Sequence, residues 1–357
     1  MTSAWDHLTD DDVPGRRRTS RPRTKQRPAH ADAVPAMVTA VDRGRYLTRL
    51  EGSADCYVAA VKARELGHRG VVVGDQAYLT GDLSGRKDTL ARIVRVGPRR
   101  TELRRATDEG RGRERVIVAN ADQMVIVAAL ANPTPRIGMI DRQLVAAYDA
   151  GLGAILCLTK ADLASDRQLR ALYQPLGVEI VTTRRPGLPR QDAGGQDGQD
   201  GRDGPGVLDR PDRLEGPQQV RELLEGHVSV LVGHSGVGKS TLINALVPGA
   251  GRATGEVNLV TGKGRHTSSS ALALELPGGG WAIDTPGVRS FGLGHVRPER
   301  VLAAFPDLAA AAADCPRGCQ HGPDQAECAL AEWALGSSDR QTRLNSYLRI
   351  VASGEGN

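Results

Sequence analysis

Gly233-His-Ser-Gly-Val-Gly-Lys-Ser-Thr241 lies between a Val- and Leu-rich run, HVSVLVG, and a helix-like stretch, TLINALV. Gly233, Gly238, Lys239 and Ser240 fall in the register of the G-x-x-x-x-G-K-[ST] phosphate-binding loop, a match that chance supplies on the order of once in a hundred such sequences. Glycines at these positions let backbone N–H groups of His234, Ser235, Gly236 and Val237 close round phosphate at a helix N-terminus. In that setting Lys239 neutralises the β- and γ-phosphates, Ser240 ligates Mg²⁺, and Thr241 continues the helix. The strand–loop–helix context makes the surrounding fold α/β.

Two further segments place chemistry at strand ends. Asp284-Thr-Pro-Gly287 closes WAID, where a nucleotide hydrolase sets a carboxylate behind Mg²⁺ and a glycine amide at the γ-phosphate. Between the two lies Gly264-Arg-His-Thr-Ser-Ser-Ser270, polar and suited to a first switch in which Thr267 or its neighbour Ser268 reaches Mg²⁺. Upstream, Thr159-Lys-Ala-Asp162 closes the apolar run ILCL. A carboxylate at Asp162 accepts from guanine N1–H and from the exocyclic N2 amine, which adenine lacks, so guanine is selected. Lys160 lays its stem across the base. Thr159 stands where many GTPases have Asn, a departure expected to loosen the contact, and Thr182 and Thr183 are weaker candidates for the remaining base loop. Base motif thus precedes phosphate loop, first switch and second switch. This is the order of a circularly permuted GTPase, physically allowed because every loop stands at the carboxyl edge of one sheet.

Working outward, residues 35–118 carry alternating segments, MVTAVDRGRYLTRL, CYVAAV, QAYLTGDL, TLARIVRV and RVIVAN, separated by turn residues. They predict a small all-β barrel, with TDEGRGRER as a long exposed loop. Residues 119–296 read as the GTPase domain, interrupted at 185–216 by a flexible Gly/Asp-rich insert containing QDAGGQDGQDGRDGPG. Residues 297–357 read as a helical domain whose last helix starts near Ser338, which has capping-box spacing to Gln341. Within it, Cys315-x₃-Cys319-x-His321-x₆-Cys328 offers the four ligands of a structural zinc site, one ion per chain. Cys56 and Cys157 lie in strand-like runs and read as buried. Residues 1–34 form a disordered tail, with seven Lys or Arg between Arg16 and Arg27 and no acid there, suited to phosphate contacts.

Composition narrows the function. Across 357 residues, hydrophobic residues make up 39% and charged residues 25%, as in folded soluble proteins, while 43 Gly and 20 Pro agree with a turn-rich insert. Only 2 Phe, 3 Trp and 6 Tyr are present, which disfavours recognition of RNA chiefly by base stacking. No apolar run approaches the ~20 residues needed to span a bilayer, and the acidic start, MTSAWDHLTDDD, is unlike a secretory signal. The expectation is a reducing cytoplasm and no membrane partner, while the net charge of +5 permits an anionic partner without demanding one.

With these motifs in hand, residues 35 to 350 resemble the ribosome small-subunit-dependent GTPase A family. The likeness is carried by Val73-Gly74-Asp75, Arg99 to Arg105, Ala119-Asn-Ala-Asp-Gln123, the TKAD and GHSGVGKST loops, GRHTS and DTPG. The family usually has N-K-x-D, Thr-Thr at Thr267-Ser268, and C-x₄-C-x-H-x₅-C. The resemblance implies an OB-fold barrel, a permuted P-loop GTPase domain and a zinc-binding helical domain. It further implies binding to the 30S subunit and 16S rRNA during late maturation, alongside other assembly factors, with GTP hydrolysed to GDP and phosphate under 30S stimulation. Val288 stands where many GTPases carry the Gln that orients water, so His266 is the candidate catalytic residue. Two other classes fit less well. A metabolite kinase needs a lid and an acceptor cleft, neither legible in the sequence, and a non-hydrolysing RNA scaffold would bind ribosomes equally well with GDP and GTP.

Overall fold

Short strands with one apolar face each build the N-terminal part of the computed structural model: β1 (Val34–Asp42), β2 (Arg45–Leu50), β3 (Tyr57–Lys62), β4 (Gln76–Gly81) and β5 (Ala91–Val96). Ala36, Val38, Val58, Ala60, Ala77, Leu79, Ala91 and Ile93 alternate into one core, as half-buried strands require. Pairing runs β1-β2-β3-β5-β4 and back to β1, with β3 and β5 parallel and the rest antiparallel, so the sheet closes as a five-stranded OB-type barrel. The structure describes residues 30–53, 56–67, 70–86, 88–106, 114–185, 215–250, 271–285, 296, 298–321 and 327–355. Most of the basic tail, the Gly/Asp insert, the first-switch segment and residues 286–295 thus lie outside it. The chain divides into Met1–Asp32 and the compact unit Ala33–Asn357, and every strand and helix named belongs to the second.

RVIVAN, expected from its alternation to be a barrel strand, is not one. Among the described residues, β7 (Glu114–Ala119) pairs with β6 (Glu102–Ala106) in a separate antiparallel hairpin and touches the barrel side through a bridge from Val118 to Val73. Apolar alternation identifies a strand but not its partner, which is fixed by contacts distant in sequence.

The join between barrel and hairpin explains the Val73-Gly74-Asp75 segment. Gly74 has φ +88°, and a Cβ there would stand 2.0 Å from the Ala119 carbonyl oxygen, so only glycine fits. Asp75 is fully buried and accepts from Arg99 Nε at 2.7 Å and Nη2 at 2.9 Å, and from the Val72 N–H at 2.8 Å. Hydrogen bonding to Asp75 raises the Arg99 pKa further above its ordinary range. Removing one partner of a buried pair leaves an uncompensated charge, so Arg99→Ala should lower unfolding free energy by about 3–5 kcal/mol, measured by denaturant titration.

Beyond the hairpin, β8 (Gln123–Ala129), β9 (Gly153–Thr159), β10 (Glu179–Thr182), β11 (Val228–Val232) and β13 (Trp281–Asp284) run parallel in the order β10-β9-β8-β11-β13. The antiparallel β12 (Leu272–Glu275) follows β13 and joins the sheet to β1 of the barrel. Along β8, Met124, Ile126 and Ala128 face one core while Val125, Val127 and Ala129 face another. Both faces are therefore covered, as in doubly wound sheets. Helices α1 (Ile137–Asp149) and α2 (Arg167–Tyr173) pack with the first core, α3 (Pro217–Leu224) and α4 (Lys239–Leu246) with the second.

Among the described residues four helices follow the sheet: α5 (Pro298–Ala303), α6 (Pro306–Ala312), α7 (Ala329–Ala334) and α8 (Ser338–Glu355). Phe305 stands edge-on to Tyr148 at 5.1 Å and to Tyr347 at 5.6 Å, spending three of the few aromatics on this junction. Arg349 of α8 pairs with the buried Asp141 of α1 at 3.2 Å and lies over the Tyr173 ring. Helix α8 begins where expected, but its cap is Ser337 rather than Ser338: the Ser337 hydroxyl accepts from the Arg340 N–H at 3.3 Å. Cys157 is buried as expected, whereas Cys56 is half-buried and precedes β3.

Candidate nucleotide site and metal centre

Parallel strands bring the carboxyl ends of β8, β9, β10, β11 and β13 to one edge, and with them the loops carrying Thr159 to Asp162, Gly233 to Ser240 and Asp284. Ligands in open α/β sheets bind at this edge. Gly233 leaves β11 packed so tightly that a Cβ would stand 2.5 Å from the Val127 carbonyl oxygen. Gly236 and Gly238 have φ of +82° and +93°, the left-handed backbone that turns the loop back into α4. Lys239, the first residue of α4, extends its ammonium to the Asp284 carboxylate across the sheet. Thr285 is buried and fixes the end of β13 by donating to the Leu231 carbonyl at 2.7 Å.

The base-motif loop is tied to this phosphate loop directly. Thr159 is buried at the end of β9, and its hydroxyl donates to the Val237 carbonyl. Lys160, with φ +59°, donates from Nζ to the Gly236 carbonyl at 3.0 Å and to that of Asn132. A threonine in place of the usual asparagine therefore leaves the two loops connected. Asp162 is 7% exposed and accepts from the Arg185 N–H at 3.2 Å, so its carboxylate is held in place before any ligand arrives. Thr183 lies alongside, its N–H bonded to the Leu158 carbonyl and its own carbonyl to the Ala161 N–H. A cavity beside the phosphate loop, lined by Pro133, Met139, Gln143, His234 and Val237, measures about 30 Å³. His266, Thr267 and Gly287 lie outside the described residues.

Three residues without a role in the sequence reading cluster at the amino end of β8, on the side of the sheet away from the nucleotide loops. Asn120 accepts the Arg100 N–H at 2.8 Å and donates to the Gly74 carbonyl at 2.9 Å. Asp122 accepts the Val228 N–H at 2.8 Å, and Gln123 donates to Ser229 Oγ at 3.0 Å and to the Leu223 carbonyl at 2.8 Å. The signal was the polar run Asn-Ala-Asp-Gln placed against an apolar strand, where side-chain caps are needed to satisfy backbone groups.

In the C-terminal part, Cys315, Cys319, His321 and Cys328 converge with all ligand atoms within 4.8 Å of one another. Nδ1 of His321 stands 3.6, 3.5 and 3.7 Å from the sulfurs of Cys315, Cys319 and Cys328. Tetrahedral Zn²⁺ with its usual bond lengths sets sulfur–nitrogen separations of about 3.6 Å, so the donor set fits that ion. The Ala329 N–H donates to Cys315 Sγ at 3.3 Å, supplying the outer hydrogen bond that such thiolates receive. Burial holds the His321 imidazole below its usual pKa and pushes the Cys328 thiol up to about 11, so metal entry must displace thiol protons.

Strand order, loop placement and the barrel pairing define a circularly permuted P-loop GTPase fold carrying an OB-type barrel and a Cys₃His cluster able to hold a metal. The RsgA GTPase family model matches residues 96–189 and 207–294. Over 284 residues the chain is 37% identical to the small ribosomal subunit biogenesis GTPase RsgA of Ectopseudomonas mendocina, covering 79% of this chain and 75% of that one. It is 38% identical over 262 residues to the protein of the same name from Pseudomonas syringae pv. tomato, covering 73% and 69%. In fold it is similar to YjeQ from Thermotoga maritima, with a TM-score of 0.57 at 22% identity over 89% of this chain and 99% of that one. It is also similar to YloQ, described as a circularly permuted GTPase, with a TM-score of 0.58 at 20% identity over 92% and 98%. The chain belongs to the RsgA GTPase family.

Proposed function

We propose that this protein is a GTPase that docks on the small (30S) ribosomal subunit and assists its late maturation, hydrolysing GTP to GDP and phosphate when docked. The observation that carries the reading is the direct tie between the base-motif and phosphate loops through Thr159 and Lys160, which gives one rigid edge for a whole nucleotide. Gly233 to Thr241 hold the phosphates, with Lys239 leaving Asp284 for the γ-phosphate, and Thr159, Lys160 and Asp162 select guanine. Ser240 and Thr267 would hold Mg²⁺ with support from Asp284, the ion would neutralise phosphate charge, and the Gly287 amide would donate to the γ-phosphate. His266 orients the attacking water. The barrel and the C-terminal domain contact 16S rRNA in the cytoplasm, in company with other assembly factors.

Cys315, Cys319, His321 and Cys328 would hold one structural zinc per chain. No helix among the described residues is long and apolar enough to cross a membrane. Cys319→Ala should lose stoichiometric zinc, read by elemental analysis, together with ribosome binding, while GTP affinity stays within about threefold, because the cluster lies apart from the nucleotide edge in sequence and shares no ligand with it. Retention of one zinc by that variant would refute the ligand set.

A further inference from the structure

We propose that the ion pair of Arg49 and Glu275 is a positioning device that couples the barrel to the hydrolysis site through β12, an inference resting on ribosome-stimulated GTP hydrolysis. Strand β12 is the hydrogen-bonded link between the two parts of the sheet. Ala40 of β1 pairs with Leu272, Leu272 with Asp284 of β13, and Asp284 with Leu231 of β11, so one rung runs from the barrel wall to the carboxylate that holds Lys239. The rung meets the barrel beside a register shift between Val38 and Ala40, which frees β1 to pair with β4 at Val34–Met37 and with β12 farther on. Among the described residues one ladder pair joins β1 to β12, and displacement of the barrel would slide or part it.

Arg49 closes that seam at the other end of β12. Its Nε and Nη2 donate to the two Glu275 oxygens at 3.2 and 3.3 Å, a bidentate arrangement with fixed geometry. Nη1 donates to the Leu50 carbonyl at 3.0 Å and to that of Ser53, and the guanidinium stands 5.8 Å from the Tyr57 ring centre. All three nitrogens are thus engaged within the protein, and the side chain is only 14% exposed, so Arg49 is built as a strut between β2 and β12 rather than as a free cation for phosphate. Glu275 in turn sits three residues along β12 from the Leu272 rung. With the strut in place, force on the barrel reaches Asp284 through a strand clamped at both ends. Without it, β12 can pivot about Leu272 and absorb the displacement.

The test compares wild type, Glu275→Gln, Arg49→Ala and the exchanged pair Arg49→Glu with Glu275→Arg, in the full-length zinc-loaded protein, for GTP affinity, basal hydrolysis, 30S affinity and 30S-stimulated hydrolysis. Glu275→Gln is the key variant because it breaks the pair without removing a positive charge that RNA could contact. GTP affinity, basal rate and 30S affinity should stay within twofold of wild type, while the stimulation factor falls about three- to thirtyfold. The exchanged pair should recover most of that loss. A wild type that 30S does not stimulate overturns the functional reading and this inference with it. A stimulated wild type matched by an equally stimulated Glu275→Gln overturns the coupling alone, and so does a loss of basal and stimulated rates in equal proportion, which marks a pair that merely stabilises the fold.

Discussion

Asp162→Asn should weaken GTP binding roughly a hundredfold and improve xanthosine triphosphate binding by a similar factor. Asp162 is buried and already oriented by the Arg185 N–H, so its carboxylate meets guanine without reorganisation. Two hydrogen bonds to a charged acceptor are at stake, each worth about 1.5–3 kcal/mol. An asparagine can still accept from N1–H through its carbonyl, but its amide faces the N2 amine with a donor. Xanthine carries a carbonyl there and restores the match. Wild type should discriminate against ATP by a large factor, because adenine leaves the buried acceptor unpaired. Competition binding with the three nucleotides reads both effects, and comparable GTP and ATP affinities in wild type would remove the base assignment.

Lys239→Ala should cost more than a hundredfold in GTP affinity, about 3 kcal/mol, since truncating one partner of a desolvated charge pair typically costs 2–5 kcal/mol. The Lys239 side chain is 12% exposed and paired with Asp284 before nucleotide arrives, so binding exchanges one anionic partner for another and is not the capture of a solvated charge. The same variant leaves Asp284, 32% exposed, to be solvated, and the fold should therefore survive. Calorimetric titration with GTP in Mg²⁺ reads the loss, and a variant within threefold of wild type would contradict the phosphate-loop assignment.

These two residues were legible in the sequence because their chemistry depends on local spacing. A phosphate loop is eight consecutive positions between a strand and a helix, and a Cys/His cluster within fourteen residues needs only a loop to close it. The tie from the Thr159 hydroxyl to the Val237 carbonyl spans 78 residues, and no local pattern contains it. The same reason hid the pairing of β7, the Asp75–Arg99 pair and the seam at β12, all set by partners distant in sequence. The cap of α8 was missed by one position because Ser337 and Ser338 are adjacent, and only backbone geometry distinguishes them.

The most direct measurement is steady-state GTP hydrolysis by the zinc-loaded protein with and without purified 30S subunits, for wild type and His266→Ala. With Val288 unable to orient water, the unaided rate should be slow, and 30S should raise it at least tenfold, about 1.4 kcal/mol of barrier. His266→Ala should lose most of that increment with GTP affinity nearly unchanged. Equal wild-type rates with and without 30S would contradict the account of a GTPase whose turnover reports docking on the small subunit.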